Sequence, residues 1–328
     1  MYQARPLSGS LLLVLIACSG TEPPDDVPSL PGTEIVFLAR SSTRNDIYVV
    51  NADGSGLTNL TSDHPDNGAP SWSSDGRRIY FLSSNRDGRS GSGLYAMKPD
   101  GTDVRLVVDG IGGSYSVSPD GMRIAFGVEQ LGAQTYPNID LFVMNADGSG
   151  RTMIVDLPCQ FIDMNCQQLN GLAWSPDGAR IAYSAQYPGH GGNVYGIIGI
   201  LNADGTGHGY LNTSEGRSSY PAWAPDGQRI AYSSGESSTI PFPSGMDLEI
   251  INADGTGHVV VLKSGANITS PSWSPGEQSI VFAQYTPASW VPAGPSEMFV
   301  VNLDGTGLRR LADLPGEESS PDWNPAPP

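Results

Sequence analysis

Four histidines, three cysteines and 34 acidic side chains are the groups in this sequence that could do chemistry. His208 and His258 both follow Asn-Ala-Asp-Gly-Thr-Gly, at a position where parallel phrases carry Leu57, Arg151 and Leu308. A histidine that shares a repeat position with leucine reads as packing, not ligation. His64 and His190 fall in loops, and nothing in the sequence pairs either with a carboxylate. Gly-Arg-Ser-Gly-Ser-Gly at 88–93 misses the spacing of a nucleophile elbow, and there is no P-loop, His-Glu-x-x-His or dinucleotide glycine pattern. Ten of the acids belong to Asp-Gly turn phrases: Asp53, Asp75, Asp100, Asp120, Asp147, Asp177, Asp204, Asp226, Asp254 and Asp304. Such strings faintly resemble calcium loops, but Ca²⁺ wants six to eight oxygens and an EF-type loop runs on to a distal Glu. The reading is therefore no catalytic residue, no metal and no cofactor, with a structural Ca²⁺ in a central channel as the one ion kept open.

The elements that would have to position any site are suggested first by composition. The 328 residues hold 41 glycines and 27 prolines, about a fifth of the chain and above the usual share, beside 38% hydrophobic residues that can fill a core. That is a globular, turn-rich, all-β profile. The net charge is −17, only two lysines occur (Lys98 and Lys263), and the arginines are scattered. Nucleic-acid binding, which needs clustered cations, is excluded.

Two phrases alternate along the chain. The first reads WSSDGRRIYF from Trp72, VSPDGMRIAF from Val117, WSPDGARIAY from Trp174, WAPDGQRIAY from Trp223 and WSPGEQSIVF from Trp273, with a truncated WNP at Trp323. The second is an apolar run before Asn-x-Asp-Gly or its variant, centred on Asp53, Asp100, Asp147, Asp204, Asp254 and Asp304 at spacings of 47, 47, 57, 50 and 50. That period is the length of a propeller blade. Pro-Asp-Gly between β-rich runs is a tight turn: Pro presets φ, Asp bonds its own backbone and Gly takes positive φ. Asn-x-Asp-Gly makes a second hairpin of the same kind. Each repeat is thus four short antiparallel strands, and six repeats predict a six-bladed β-propeller. The chain enters at Glu34, in phase with a second strand, and leaves at Trp323, in phase with a first strand. The C-terminal strand is expected to complete the N-terminal blade and remove the ring's open edges.

The alternation resembles the repeats of the TolB C-terminal propeller over roughly residues 34–325, and similar repeats accompany prolyl-oligopeptidase-type hydrolases. The TolB resemblance would place an α/β domain before the propeller, where this sequence has a tether of 16 residues at 18–33. A hydrolase relative would need a further domain bearing a triad. Within the repeats Val117 replaces Trp, Ser74 replaces Pro, and Gly276-Glu277 replaces Asp-Gly. Upstream, Arg5 precedes the seven-residue run Leu11–Ala17 (LLLVLIA), which spans about 10 Å against about 30 Å of bilayer hydrocarbon. It fits a secretory signal, not a membrane span. Leu15-Ile16-Ala17-Cys18 resembles a bacterial lipobox, which implies a signal peptide at 1–17, a lipidated Cys18 and a Pro-rich acidic tether to residue 33. Ser19 after the cysteine implies the outer membrane, and an ordinary signal peptide is the alternative. In an oxidising compartment the two remaining thiols, Cys159 and Cys166, make an expected disulfide.

Blade topology puts the SPDG and NADG turns on one face and every long insertion on the other: 83–92, 128–138, 185–193, 234–245, 284–296 and the inter-blade loop 156–170. Variable loops on a rigid scaffold are where binding residues concentrate. Candidates on this decorated face are Phe161, Tyr187, His190, Phe242, Tyr285 and Trp290, which could instead pack their own loops. Asn67, Asn170, Ser219, Thr269 and Ser319 mark the channel mouth. The expectation is a monomeric, lipid-anchored module of the cell envelope that binds a protein or peptide and catalyses nothing. TolB-like docking of a peptidoglycan-associated partner is one form of it. The alternatives are a sugar lyase or hydrolase with its site at the channel mouth, and a purely structural surface lipoprotein.

Overall fold

In a computed structural model, six four-stranded antiparallel sheets form the blades of a propeller. The structure describes residues 33–325 apart from 65, 131–137, 158–167, 189–193, 212–215, 237–244, 287–294, 312 and 314–315. Blade 1 is Glu34–Arg40, Asn45–Asn51 and Thr58–Asn59, completed by the C-terminal strand Glu317–Trp323. Ile35 pairs with Trp323 and Arg40 with Glu317, so the ring closes as the phase of the repeats predicts. Blades 2 to 6 open with first strands Asn67–Trp72, Tyr115–Val117, Gln168–Trp174, Gly216–Trp223 and Asn267–Trp273. These first strands pack on one another around the ring and so form its inner wall. Among the described residues no helix is long and apolar enough to cross a membrane.

The turn phrases work as local chemistry requires. Asp53 Oδ1 accepts the Ser55 N–H at 2.8 Å and the Ser55 hydroxyl at 2.7 Å. The same pair of bonds recurs at Asp100, Asp147, Asp204, Asp254 and Asp304, with Thr102, Ser149, Thr206, Thr256 and Thr306 as donors. The hydroxyl bond, then the amide bond, hold each of these carboxyls below the usual aspartate range. The carboxylates of this phrase are occupied in closing their own turns. Among the described residues no three metal-ligating side chains come together.

The Arg and Trp of the first phrase join one blade to the next. The guanidinium of Arg123 lies over the Trp174 ring at 4.6 Å and donates to the Gly178 carbonyl at 3.1 Å. Arg180 repeats this on Trp223 at 4.6 Å and Gly227 at 2.9 Å. Arg229 covers Trp273 at 4.9 Å but pairs with the Glu277 carboxylate. Glu277 sits at φ 53°, where other repeats have glycine, and its ion pair offsets some of that strain. Each indole reaches back in turn: Trp174, Trp223 and Trp273 donate Nε1–H to the carbonyls of Ser116, Ala173 and Ala222 at 3.2, 3.1 and 3.1 Å. With valine at 117, Arg78 turns to Asp103 at 2.6 Å.

At the closing seam Asp322 ties three first strands together. Its Oδ2 accepts the Trp72 N–H of blade 2 at 2.7 Å, and its Oδ1 accepts the Ser272 hydroxyl of blade 6 at 2.9 Å. Ser272 Oγ accepts the Trp323 N–H at 3.0 Å. Burial pushes this carboxyl up to about 6 from 3.8, because no cation faces it. The folded state therefore holds a proton that the unfolded chain has released between about pH 4 and 6, and Asp322 costs stability as pH rises through that window. The span corresponds to at most about 3 kcal/mol. In chemical denaturation from pH 4 to 7, the wild-type chain is expected to lose this stability relative to Asp322→Asn, whose amide can accept from Trp72 and donate to Ser272. Parallel pH profiles for the two proteins would refute the assignment.

Candidate functional site

The inner wall carries a feature the turn phrases do not announce. In five of the six first strands the pairing register slips three residues before the tryptophan, so two residues oppose one. The residue at the slip is left-handed: Ala69 at φ 44°, Gly171 at 127°, Tyr220 at 57°, Ser270 at 50° and Ser320 at 50°. Four of these precede a proline (Pro70, Pro221, Pro271 and Pro321), which lacks the ladder donor that a bulge leaves unused. That Pro, two before Trp, was the available sequence signal. Non-glycine residues at positive φ cluster where surrounding structure over-determines them.

Bulging sets which residues reach the mouth. Asn170, Ser219, Thr269 and Ser319 all stand four residues before a tryptophan. Asn170, Thr269 and Ser319 are half-buried. Ser219 is buried and accepts from Gln186 Nε2 at 3.1 Å. Asn67 stands five before Trp72, one pleat out of step with that set. Its amide nitrogen donates to the carbonyls of Asn45 at 3.0 Å and His64 at 2.5 Å. Its oxygen accepts from Ser83 at 3.1 Å and from the buried Arg86 at 3.4 Å. Arg86 pairs in turn with Asp63 at 3.0 Å. Asn67 thus belongs to a buried polar joint between blades 1 and 2.

Of the decorated-face aromatics, Tyr187 ends the second strand of blade 4 (Arg180–Pro188), half-buried and stacked on Tyr195 at 5.7 Å. Tyr285 ends the second strand of blade 6 (Ser279–Tyr285), also half-buried. Phe161, His190, Phe242, Trp290, Cys18, Cys159 and Cys166 lie outside the described residues.

The histidines at the repeat position have structural partners that sequence reading did not identify. In four blades an aromatic pair spans strands two and three, as Phe37–Tyr48, Phe81–Tyr95, Phe126–Phe142 and Phe282–Phe299 at 5.7–6.0 Å. In blade 4 Gly199 stands opposite Tyr183, and a Cβ there would come within 2.2 Å of the Tyr183 ring. His208 stacks on Tyr183 instead at 5.8 Å and bonds its hydroxyl. Burial lowers the His208 pKa and keeps the ring neutral. In blade 5 Glu249 stands opposite Tyr232 and meets His258 Nε2 at 2.8 Å.

Blade 3 is where the inner wall is incomplete. Its first strand has three residues where the others have six to eight, and no bulge. The missing half is the link Gly110-Ile111-Gly112-Gly113-Ser114. A cavity of about 640 Å³ lies beside it, walled by that link, Phe126, Val128, Leu169 and the polar groups of Arg151, Asn170 and Tyr220. Tyr220 is the left-handed residue of the blade 5 bulge, and Gly171 of blade 4 backs onto it.

No family model matches the sequence, and no curated protein matches it. Solved structures do match. The chain is similar to TolB from Acinetobacter baumannii at 18% identity and a TM-score of 0.67, over 90% of this chain and 68% of that one. It is similar to a TolB-type protein from Agrobacterium tumefaciens at 21% identity and a TM-score of 0.62, over 84% and 91% of the two chains. An oligogalacturonate lyase in complex with manganese matches at 14% identity and a TM-score of 0.55, over 86% and 75%. At these identities the likeness establishes a TolB-like propeller fold.

A Cβ at Gly171 would press on Tyr220 Cα and Pro221 at 3.1 Å, on a backbone only glycine adopts freely. Gly171→Ala is expected to cost about 1–3 kcal/mol and to shift the Tyr220 ring resonances. Unfolding that matches wild type would mean the bulge is not strained as described.

Proposed function

We propose that this chain is a binding propeller of the bacterial cell envelope, holding a protein or peptide partner on its decorated face without catalysis. The observation that carries this reading is the division of labour between the two faces. On one, the turn aspartates are bonded to their own serines and threonines. On the other, the inner-wall residues Asn170 and Tyr220 border an open cavity beside the blade 3 link, which runs between the blades as far as Phe126 and Arg151. Tyr and Arg over a rigid scaffold are the residues that anchor protein partners. The TolB-like fold supports an envelope setting. In this proposal Cys18 carries the lipid that anchors the chain at the outer membrane, Cys159 and Cys166 form a disulfide, and the propeller acts as a monomer.

A second reading is a sugar-acting lyase or hydrolase, favoured by the fold likeness to an oligogalacturonate lyase crystallised with manganese. Metal content separates the two, because a stoichiometric transition metal in the purified protein would favour the enzyme.

The binding reading is tested by affinity capture from an envelope extract, using the full chain in detergent as bait and mass spectrometry as readout. A saturable partner is expected. Replacing the 284–296 insertion by a short turn should abolish its capture while leaving the unfolding temperature unchanged. Capture that survives this trimming would move the site elsewhere on the ring, and an empty capture would sink the protein-binding reading.

A further inference from the structure

The cavity at blade 3 has a more specific chemistry than its outline suggests. Gly110 and Gly113 lie at φ 75° and 82°, and a Cβ on either would meet nothing within 4 Å. These glycines serve the backbone path of the link, not close packing, and the space beside them is open. The link is not loose: Ser114 Oγ donates to the Leu169 carbonyl at 3.0 Å, and the Ser114 carbonyl accepts the Gly127 N–H at 3.2 Å. At about 640 Å³ the cavity falls within the roughly 300–1,000 Å³ of small-ligand sites.

Its walls divide into two kinds. Ile111, Phe126, Val128 and Leu169 are apolar. Arg151 supplies a full positive charge. The parallel phrases of blades 1 and 6 place Leu57 and Leu308 at this position, so the repeat does not require an arginine here. The guanidinium lies over the Phe142 ring at 4.3 Å and the Phe126 ring at 5.1 Å. Arg44, Arg78, Arg86, Arg229 and Arg310 each face a carboxylate within 4 Å, but Arg151 faces none among the described residues. A guanidinium held over two rings keeps its N–H edge for a planar, two-oxygen acceptor. Gly112 and Gly113 also line the cavity; both are exposed, and neither N–H has an acceptor within the protein among the described residues. In a chain of net charge −17, an accessible guanidinium beside an apolar wall favours an anion. One positive charge matches a monoanion better than a phosphate dianion.

Resting on the binding reading above, we infer that this cavity receives a carboxylate carried on an apolar or aromatic body, with the carboxylate on Arg151 and the body against Phe126, Val128 and Leu169. Two sources share that chemistry, the C-terminal end of a partner chain and a free organic acid. Calorimetric titration of the full chain with N-acetyl-Leu-Phe as the free acid, with its C-terminal amide, and with 3-phenylpropanoate tests the inference and separates the sources. The acid is expected to bind at least about tenfold more tightly than the amide, since a charge-assisted contact is lost with the carboxylate. Arg151→Leu should bring the acid down to the affinity of the amide while the unfolding temperature holds, because leucine is the repeat's own residue at that place. Arg151→Lys should recover part of the difference. Tighter binding of the peptide acid assigns the site to a chain end, and binding of 3-phenylpropanoate alone assigns it to a free acid. Equal affinity for acid and amide, an unchanged Arg151→Leu variant, or no binding of either acid at millimolar concentration overturns the inference. Partner capture reports on the parent reading independently: a partner held while the acids fail leaves that reading standing and removes this site.

Discussion

The stacking of an arginine on the next blade's tryptophan fixes three of the six junctions of the ring, and the others must replace it. A four-stranded blade cannot bury both of its faces, so its stability comes from its neighbours. Apolar burial between blades is non-directional and would tolerate rotation of one sheet on the next. The Arg–Trp pair removes that freedom. The guanidinium covers one ring face and hydrogen-bonds a turn carbonyl, while the indole N–H reaches back to the preceding first strand. Both partners lie beside the Pro-Asp-Gly turn, so the residues that fold each hairpin also set its angle to the next one. This is why arginine recurs five residues after the aspartate-bearing phrase begins to turn, a position that secondary structure alone does not demand.

Where the pair is broken, other contacts take the load. Val117 cannot receive Arg78, and Arg78 goes to Asp103 instead. Tyr115, two residues earlier, spans the seam by donating its hydroxyl to the Ala69 carbonyl at 2.7 Å. Ala69 is the left-handed residue of blade 2, so the tyrosine also holds that bulge in place. At the closing seam, Asp322 and Ser272 collect backbone amides from two neighbouring first strands. A carboxylate there needs burial without a counter-ion, which explains why its proton affinity is raised when the turn aspartates have theirs lowered.

Blade number, strand order and ring closure were legible in the sequence because they follow from turn residues whose backbone preferences are local. Proline, aspartate and glycine in that order leave a chain few choices. The site was less legible, and for a physical reason. Whether Asn67 lines the mouth or joins a buried network turns on one residue of register, and register in the first strands is set by a bulge that sequence reading did not include. The same holds for His208 and His258. Their repeat position marked them as structural, but their partners Tyr183 and Glu249 follow from cross-strand pairing, where Gly199 and Glu249 stand in for an aromatic residue. The cavity beside blade 3 arises not from an insertion but from a shortened first strand, which a search for inserted loops does not reveal.

In a repeat protein, residues that agree with the consensus are accounted for by the ring, and those that depart from it without a structural return are the ones left to explain. Glu277 departs and is compensated by Arg229. His208 departs and fills the space over Gly199. Arg151 departs too, and it does gain two aromatic faces, but leucine fills the corresponding place in other blades without a charge to satisfy. Arg151 is exposed and faces no carboxylate among the described residues, so its charge beside the blade 3 gap is not spent on holding the fold. An accessible, unpaired guanidinium at the edge of an open cavity is placed to meet something outside the chain, which is what the consensus leucine cannot do.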